Sequence, residues 1–219
     1  MKDHKPLVVF DLDGTLTKKD TYIPFLLGFL LRNPWRVLRT IHLPLAVLVH
    51  LFGLRNNTWL KLIFLKAFLG GVNRNKIESW VNKFSDNVVD NGMRDNALDI
   101  LAKHQRQHAE IGLVSASLDL YVEAIGGKLG FMNIISTKAE FKQNCMTGNI
   151  TTQNCYGEEK VERITEWLMH HDHDHVDIAY SDHHSDLPIL QLAKKGVAVN
   201  PTDNLRALSK SKQLEVVDW

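Results

Sequence analysis

Leu7-Val8-Val9-Phe10-Asp11-Leu12-Asp13-Gly14-Thr15-Leu16-Thr17 is the stretch that decides the fold. The four residues before Asp11 are all apolar and carry no polar face. Such a run reads as a strand covered on both sides in a parallel sheet. Open α/β sheets bind ligands at the end where their strands terminate. Side chains at i and i+2 of an extended segment point the same way, so Asp11 and Asp13 would share one site. Two carboxylates that close repel unless a cation or a proton separates them. Gly14 then supplies a tight turn. The stretch therefore predicts a core strand whose end holds a metal and does chemistry.

The pattern repeats outward from that strand. Ile111-Gly112-Leu113-Val114, Asn133-Ile134-Ile135-Ser136, Val176-Asp177-Ile178-Ala179-Tyr180 and Gly196-Val197-Ala198-Val199 read as further strands. Helical stripes lie between them: Ala97, Leu98, Leu101 and Ala102; Leu120 to Leu129; Val161, Ile164, Trp167 and Leu168; Leu187 to Leu192. Residues 140–154 alternate loosely around Thr147-Gly148-Asn149, which predicts a hairpin turning there. Strands alternating with helices argue an α/β fold, a doubly wound, Rossmann-like parallel sheet. Residues 22 to about 70 read as helical, with a break at Asn33-Pro34-Trp35, and Ile77 to Val89 as a further amphipathic helix. This block follows the first strand directly and is expected to be an α-helical cap. The expected division is a core of residues 1–17 and 93–219 and a cap of residues 18–92.

The chain has 219 residues, 44% hydrophobic and 23% charged, with a formal net charge of +1. No bulk field points toward nucleic acid. Cys145 and Cys155 match no zinc spacing or disulfide framework, and Met1-Lys2-Asp3-His4-Lys5 is unlike a signal peptide, so a cytoplasmic location is expected. Charge is uneven, however. From Thr21 to Ile77 there is no Asp or Glu, and eight Lys and Arg give that stretch +8. Its apolar run Ile41 to Phe52 is shorter than the roughly 20 residues a spanning helix needs.

Polar residues with chemical capability stand at three more strand ends or helix starts: Ser115-Ala116-Ser117, Gly157-Glu158-Glu159-Lys160 and Ser181-Asp182-His183-His184-Ser185-Asp186. A lysine in a first helical turn opposes the macrodipole, which makes sense if Lys160 points at carboxylates or a phosphate. Ser117 could be an ordinary turn serine, and Asp182 and Asp186 could cap the following helix.

In this order, Asp11-x-Asp13-Gly14-Thr15-Leu16, Ser115, Lys160 and Asp182 with Asp186 resemble the haloacid dehalogenase (HAD) superfamily. The helical insertion looks like the cap of its phosphoserine-phosphatase-like branch. The resemblance implies an Mg²⁺-dependent phosphatase acting on a phosphomonoester through an aspartyl-phosphate. Asp11 would be the nucleophile, Asp13 the general acid and then base, and Ser115 a hydrogen-bond donor to a phosphoryl oxygen. Lys160 would neutralise phosphate and Asp11. Asp11, Asp13 (through its backbone carbonyl) and Asp182 would hold the metal, with Asp186 orienting the metal's surroundings or Lys160. Asp20, Ser117 and His183 are expected near the substrate.

Asp20 stands nine residues after Asp11, where phosphoserine phosphatases look to place a glutamate, and their carboxylate-binding arginine has only Lys61 and Lys66 as loose counterparts. An amino-acid substrate is therefore not indicated. A small soluble phosphomonoester is the leading expectation, with the cap's apolar residues forming its own core and its basic ones attracting the anionic ester. The basic, apolar cap carries the alternative: a peripheral phosphatase for a lipid phosphate on an anionic membrane surface, at the inner face, as in the phosphatidylglycerophosphatase C type to which the chain has some similarity. A non-enzymatic phosphate- or metal-binding regulatory domain is the third reading. His170-His171-Asp172-His173-Asp174-His175 reads as a solvated loop away from the strand ends, open at most to adventitious zinc or nickel.

Overall fold

A computed structural model describes residues 5–171 and 173–219; the Met1–His4 segment and Asp172 of the histidine run lie outside the described residues. Strand β1 (Leu7–Phe10) has all four side chains buried, as its uninterrupted apolar run requires. A tight turn (Leu12–Leu16) follows, then α1 (Tyr22–Arg32), a 3₁₀ turn (Pro34–Arg39), α2 (Leu43–Leu51), α3 (Asn57–Leu69) and α4 (Arg74–Asn87). The chain continues through α5 (Asp95–Arg106), β2 (Glu110–Leu118), α6 (Asp119–Lys128) and β3 (Asn133–Thr137) to β4 (Ala139–Lys142) and β5 (Cys145–Ile150). It ends with α7 (Glu158–His170), β6 (Ile178–Ser181), α8 (Leu187–Leu192), β7 (Lys195–Val199), α9 (Asp203–Ser209) and β8 (Glu215–Val217).

The main sheet has six strands in the order β3-β2-β1-β6-β7-β8, and every pair in it is parallel. This is the doubly wound α/β sheet expected from the sequence. The order reverses at β1, the topological switch point where such sheets open a crevice. Phe10 is in register with Leu113 on one side and Tyr180 on the other. Asp11 therefore leaves β1 beside the ends of both neighbours. Its backbone N–H donates to the Tyr180 carbonyl at 2.9 Å.

The chain leaves this layer and returns to it at a single crossing. Thr17 and Met93 form an antiparallel bridge, Lys18 N–H donates to Gly92 O at 2.8 Å and Arg94 N–H to Leu16 O at 2.9 Å. Helices α1 to α4 lie between these two points, and their buried Phe25, Leu26, Phe29, Leu65, Phe68 and Leu69 join one continuous core with Val8 and Phe10 of β1 and Tyr121 of α6. The C-terminus of α3 is capped by arginine. Arg36 is 3% exposed; its Nε donates to Phe68 O and its Nη2 to Gly70 O, both at 2.7 Å. This satisfies carbonyls that the helix end leaves without partners.

Several sequence expectations need correction. The hairpin turns at Gln143-Asn144, not at Thr147-Gly148-Asn149: both turn residues have positive φ (48° and 61°), and Lys142 pairs directly with Cys145. That is the two-residue geometry matching strand twist. Gly148 lies inside β5 instead, at φ +88°, and a Cβ there would fall 2.5 Å from Lys66 Cα of α3. Glycine thus marks a close approach of two backbones. The hairpin is stitched to the helical insertion by Gly71 N–H to Met146 O (2.7 Å) and Met146 N–H to Val72 O (2.9 Å). Strand β2 runs four residues beyond Val114. Proline and its neighbours form a 3₁₀ turn rather than an α-helix at Pro34–Arg39. Helix α9 and edge strand β8 carry too short a pattern to be read from sequence.

Candidate active site

The site begins with the turn after β1. Gly14 has φ +78°, and a Cβ on it would stand 2.2 Å from Asp182 Oδ2. Only glycine lets the turn approach the end of β6 this closely. The gap between Asp11 and Asp182 is spanned by one hydroxyl: Thr15 Oγ1 lies 3.4 Å from Asp11 Oδ2 and 3.3 Å from Asp182 Oδ1. Two acidic side chains separated by 171 positions in the chain are thus brought to the two sides of a single threonine.

Lys160 enters from the first turn of α7, whose N-cap Gly157 has φ +61°. The lysine is 2% exposed. Its Nζ donates to Asp11 Oδ1 at 2.6 Å and to Asp186 Oδ2 at 2.7 Å. Burial works against its charge, but the two carboxylates win and raise its pKa. Asp186 also accepts from Ser181 Oγ at 2.7 Å. Its carboxylate is committed to holding Lys160 in place.

Asp13 is engaged on both oxygens. Oδ1 accepts from Thr21 N–H (2.7 Å) and Thr21 Oγ1 (2.6 Å), and Oδ2 accepts from Ser117 Oγ (2.6 Å). Burial, then Asp20, push its pKa up against these donors. Asp13 is therefore disposed to carry a proton while neighbouring Asp11 sits on a lysine. Ser115 lies deeper. It is fully buried, its Oγ accepts from Ser117 N–H at 3.0 Å, and the neighbouring Ala116 and Ser117 line the cavity.

That cavity has a volume of about 630 Å³ and is lined by Asp11, Asp13, Asp20, Ser117, Lys160, Asp182, His183 and Asp186 from the sequence-expected set. Asp20 caps α1 there, accepting from Tyr22 N–H (2.9 Å) and Ile23 N–H (3.3 Å). His183 Nδ1 accepts from Ser185 N–H at 3.2 Å and lies 2.8 Å from Ser185 Oγ. Burial and the adjacent His184 lower the pKa of His183, so its ring is neutral at physiological pH.

Negative charge exceeds positive at the base of this cavity. Asp182 is pushed up to about 6, first by burial and then by Asp186 among its neighbours. The Asp11 pKa is also raised, by burial and the surrounding carboxylates, with Lys160 opposing. Among the described residues no three His, Cys, Asp or Glu side chains form a closed metal cage. Two carboxylates on an open cavity do not suit zinc, which takes a closed set of nitrogen or sulfur ligands. They fit a hard cation that keeps most of its water.

Residues 8–191 match the model of the haloacid dehalogenase-like hydrolases. The chain belongs to that family. Among HAD relatives, Protein CicA of Caulobacter vibrioides is 30% identical over 170 residues, covering 74% of this chain and 73% of its own. A probable phosphatase of Mycobacterium tuberculosis is 28% identical over 216 residues, 96% of this chain and 72% of its own. A Bordetella pertussis protein of unknown function superposes with TM-score 0.83 at 23% identity, covering 98% of both chains. A substrate-bound phosphoserine phosphatase superposes at 0.69 with 16% identity, over 99% of this chain and 94% of its own. This HAD protein is an enzyme, a hydrolase of the phosphatase kind, and the non-enzymatic reading gives way.

Sequence reasoning missed part of the HAD site. Lys61, named only as a loose counterpart of a family arginine, reaches across from α3. Its Nζ donates to the Ala116 carbonyl and, at 2.7 Å, to Asn154 Oδ1. Burial pulls its pKa down to about 8, with Asp13 opposing. Lys66, the other candidate, is exposed behind β5 and does not line the cavity. Thr21 and Asn154 gave no signal, because short polar residues outside a strand end are ordinary loop chemistry. The histidine run sits at the start of β2, away from Asp11: His173 Nε2 lies 2.7 Å from Glu110 Oε2. It is not a uniformly solvated loop, since the His173 side chain is only 7% exposed.

Proposed function

We propose that this HAD hydrolase is an Mg²⁺-dependent phosphomonoesterase that works through an aspartyl-phosphate. The observation that carries the reading is the buried lysine at 2.6 Å from Asp11 and 2.7 Å from Asp186, with Asp182 beyond Thr15. Asp11 and Asp182, with the Asp13 main-chain carbonyl, would hold Mg²⁺, which supplies positive charge to the phosphoryl oxygens. Lys160 favours the ionised form of Asp11 against the burial that raises its pKa, and it offsets the phosphate's charge; positioning and charge neutralisation are most of what phosphoryl transfer requires.

A carboxylate oxygen of Asp11 attacks phosphorus, forming a P–O bond as the ester P–O bond breaks. Asp13 gives its proton to the departing oxygen. Water then attacks the aspartyl-phosphate; Asp13 takes the water's proton, and Asp11 leaves as a carboxylate. Ser117, hydrogen-bonded to Asp13, fixes the direction of that acid. Ser115, inside β2, supports this from below by accepting from the Ser117 N–H.

A small soluble substrate fits a cavity whose core face carries mostly polar residues. A phosphate on an apolar tail is the second reading, favoured by Ile23, Leu60 and Phe64 on the α1 and α3 side. Asp11→Asn is expected to lower hydrolysis of a generic aryl phosphate by at least about a thousandfold in the presence of Mg²⁺. Circular dichroism should stay native, because the amide is isosteric. Turnover within tenfold of wild type in a folded variant, roughly 1.4 kcal/mol, would remove Asp11 as the nucleophile. A panel of amino-acid, sugar, nucleotide, histidinol and lipid phosphates separates the two substrate readings.

A further inference from the structure

Large exposed hydrophobic side chains are concentrated in one part of this molecule. Of eighteen among the described residues, twelve lie between Ile23 and Leu54. The most open are Leu31 at 81%, Phe52 at 78% and Leu38 and Leu51 at 73%. They are surplus to the core, which Phe25, Leu26, Phe29, Leu65 and Phe68 of the insertion already join. The three elements that carry them, α1, the 3₁₀ turn and α2, all pack on α3. A monomer in water gains nothing from such a patch.

We propose that the outer face of α1, the Pro34–Arg39 turn and α2 docks on an anionic lipid bilayer. Three further observations favour that occupant. The stretch from Thr21 to Ile77 contains no acidic residue and carries +8. Part of this charge serves the fold, as Arg36 does at the end of α3, while Arg32 and Arg55 remain exposed, each lying over a tryptophan ring. Exposed leucines and Trp35 (61% exposed) ringed by cations are the composition of an interfacial element. Among the described residues no helix is long and apolar enough to cross a membrane, so this face lies on a bilayer rather than spanning it. A second copy of the chain is a poor occupant. Two-fold pairing sets each patch against itself, and cations would then meet cations with no acidic residue on the face to answer them.

The orientation also has a consequence for access. Ile23 is 40% exposed on this face and lines the catalytic cavity, so the docked face meets the rim of the site. Docking does not depend on which phosphate ester the site hydrolyses.

The test is sedimentation of the full chain with vesicles of phosphatidylcholine alone or mixed equally with phosphatidylglycerol. At about 50 mM salt the pelleted fraction is expected to be roughly tenfold higher on the anionic vesicles, falling toward the neutral level at about 500 mM. Leu38→Ser, Leu51→Ser and Phe52→Ser combined should lower pelleting at least about fivefold. Circular dichroism and aryl-phosphate hydrolysis should be unchanged, since none of the three lines the cavity. Should the triple variant fail to fold, Arg32→Glu with Arg55→Glu gives the same loss through charge. A wild-type chain that stays in the supernatant with anionic vesicles at low salt overturns the proposal. Equal pelleting on neutral vesicles, or a vesicle-free dimer that the triple variant dissociates, overturns it too.

Discussion

Asp182 is the residue through which pH and metal meet. Its carboxyl is pushed up to about 6, chiefly by burial, against an ordinary aspartate value of about 3.9 in the unfolded chain. An acid raised in this way contributes stability below its unfolded pKa and loses it as pH rises through the folded value. The metal-free protein should therefore weaken between about pH 4 and pH 6 through this group. Cation binding needs the ionised form. The rise in Tm given by millimolar Mg²⁺ is then expected to be small at pH 5 and larger at pH 7, read by differential scanning fluorimetry. A shift independent of pH, or greater at pH 5, would exclude Asp182 as a ligand. Asp11, Asp13, Lys160 and Asp182 were legible in the sequence because each ends a strand or starts a helix. Thr21 and Asn154 were not, and neither was the bridging place of Thr15, since these roles depend on partners that the fold brings to them.

At the scale of elements, the C-terminal end of α3 is held by charge. Its terminal carbonyls meet the guanidinium of Arg36 from the 3₁₀ turn. Burial lowers the Arg36 pKa, yet the group stays charged. Arg36→Ala removes two charge-assisted hydrogen bonds and leaves the Phe68 carbonyl without its donor, while the Gly70 carbonyl keeps only Arg39 Nη1 at 2.8 Å. A loss of about 3 kcal/mol is expected in urea unfolding. A loss below about 0.5 kcal/mol would mean that water caps the helix equally well. Sequence identified a helical block ending near residue 70, where α3 closes at Leu69. It did not identify the cap, because an arginine 32 residues away from the carbonyl it serves leaves no local pattern. Likewise the hairpin was visible as alternation but its turn was misplaced. Gly148 carries the stronger turn signal, and here its missing side chain admits Lys66 instead.

The whole molecule is a sheet whose open end is covered by two separate pieces of chain: the helical insertion and the β4–β5 hairpin. They are bound to one another through Gly71, Val72 and Met146. Lys61 and Asn154 then join this cover to the end of β2. Gly148→Ala forces a Cβ to within 2.5 Å of Lys66 Cα at a φ of +88°. It is expected to cost about 2 kcal/mol of stability and to raise KM more than it lowers kcat, since the catalytic strand ends are untouched. Equal losses in kcat and kcat/KM would show that the cover also positions the reacting groups.

By itself the sequence determined the parallel sheet, the place of the helical insertion and the carboxylates and lysine at the strand ends. These follow from hydrophobic periodicity and from residue types set at the ends of apolar runs, which neighbouring positions encode. Tertiary structure alone decided that Asp11 and Asp182 flank one threonine and that Lys61 crosses to Asn154. It also decided that the surplus apolar side chains of the insertion face outward. Those outcomes are contacts between distant segments, and their energies exist only once the chain has closed on itself.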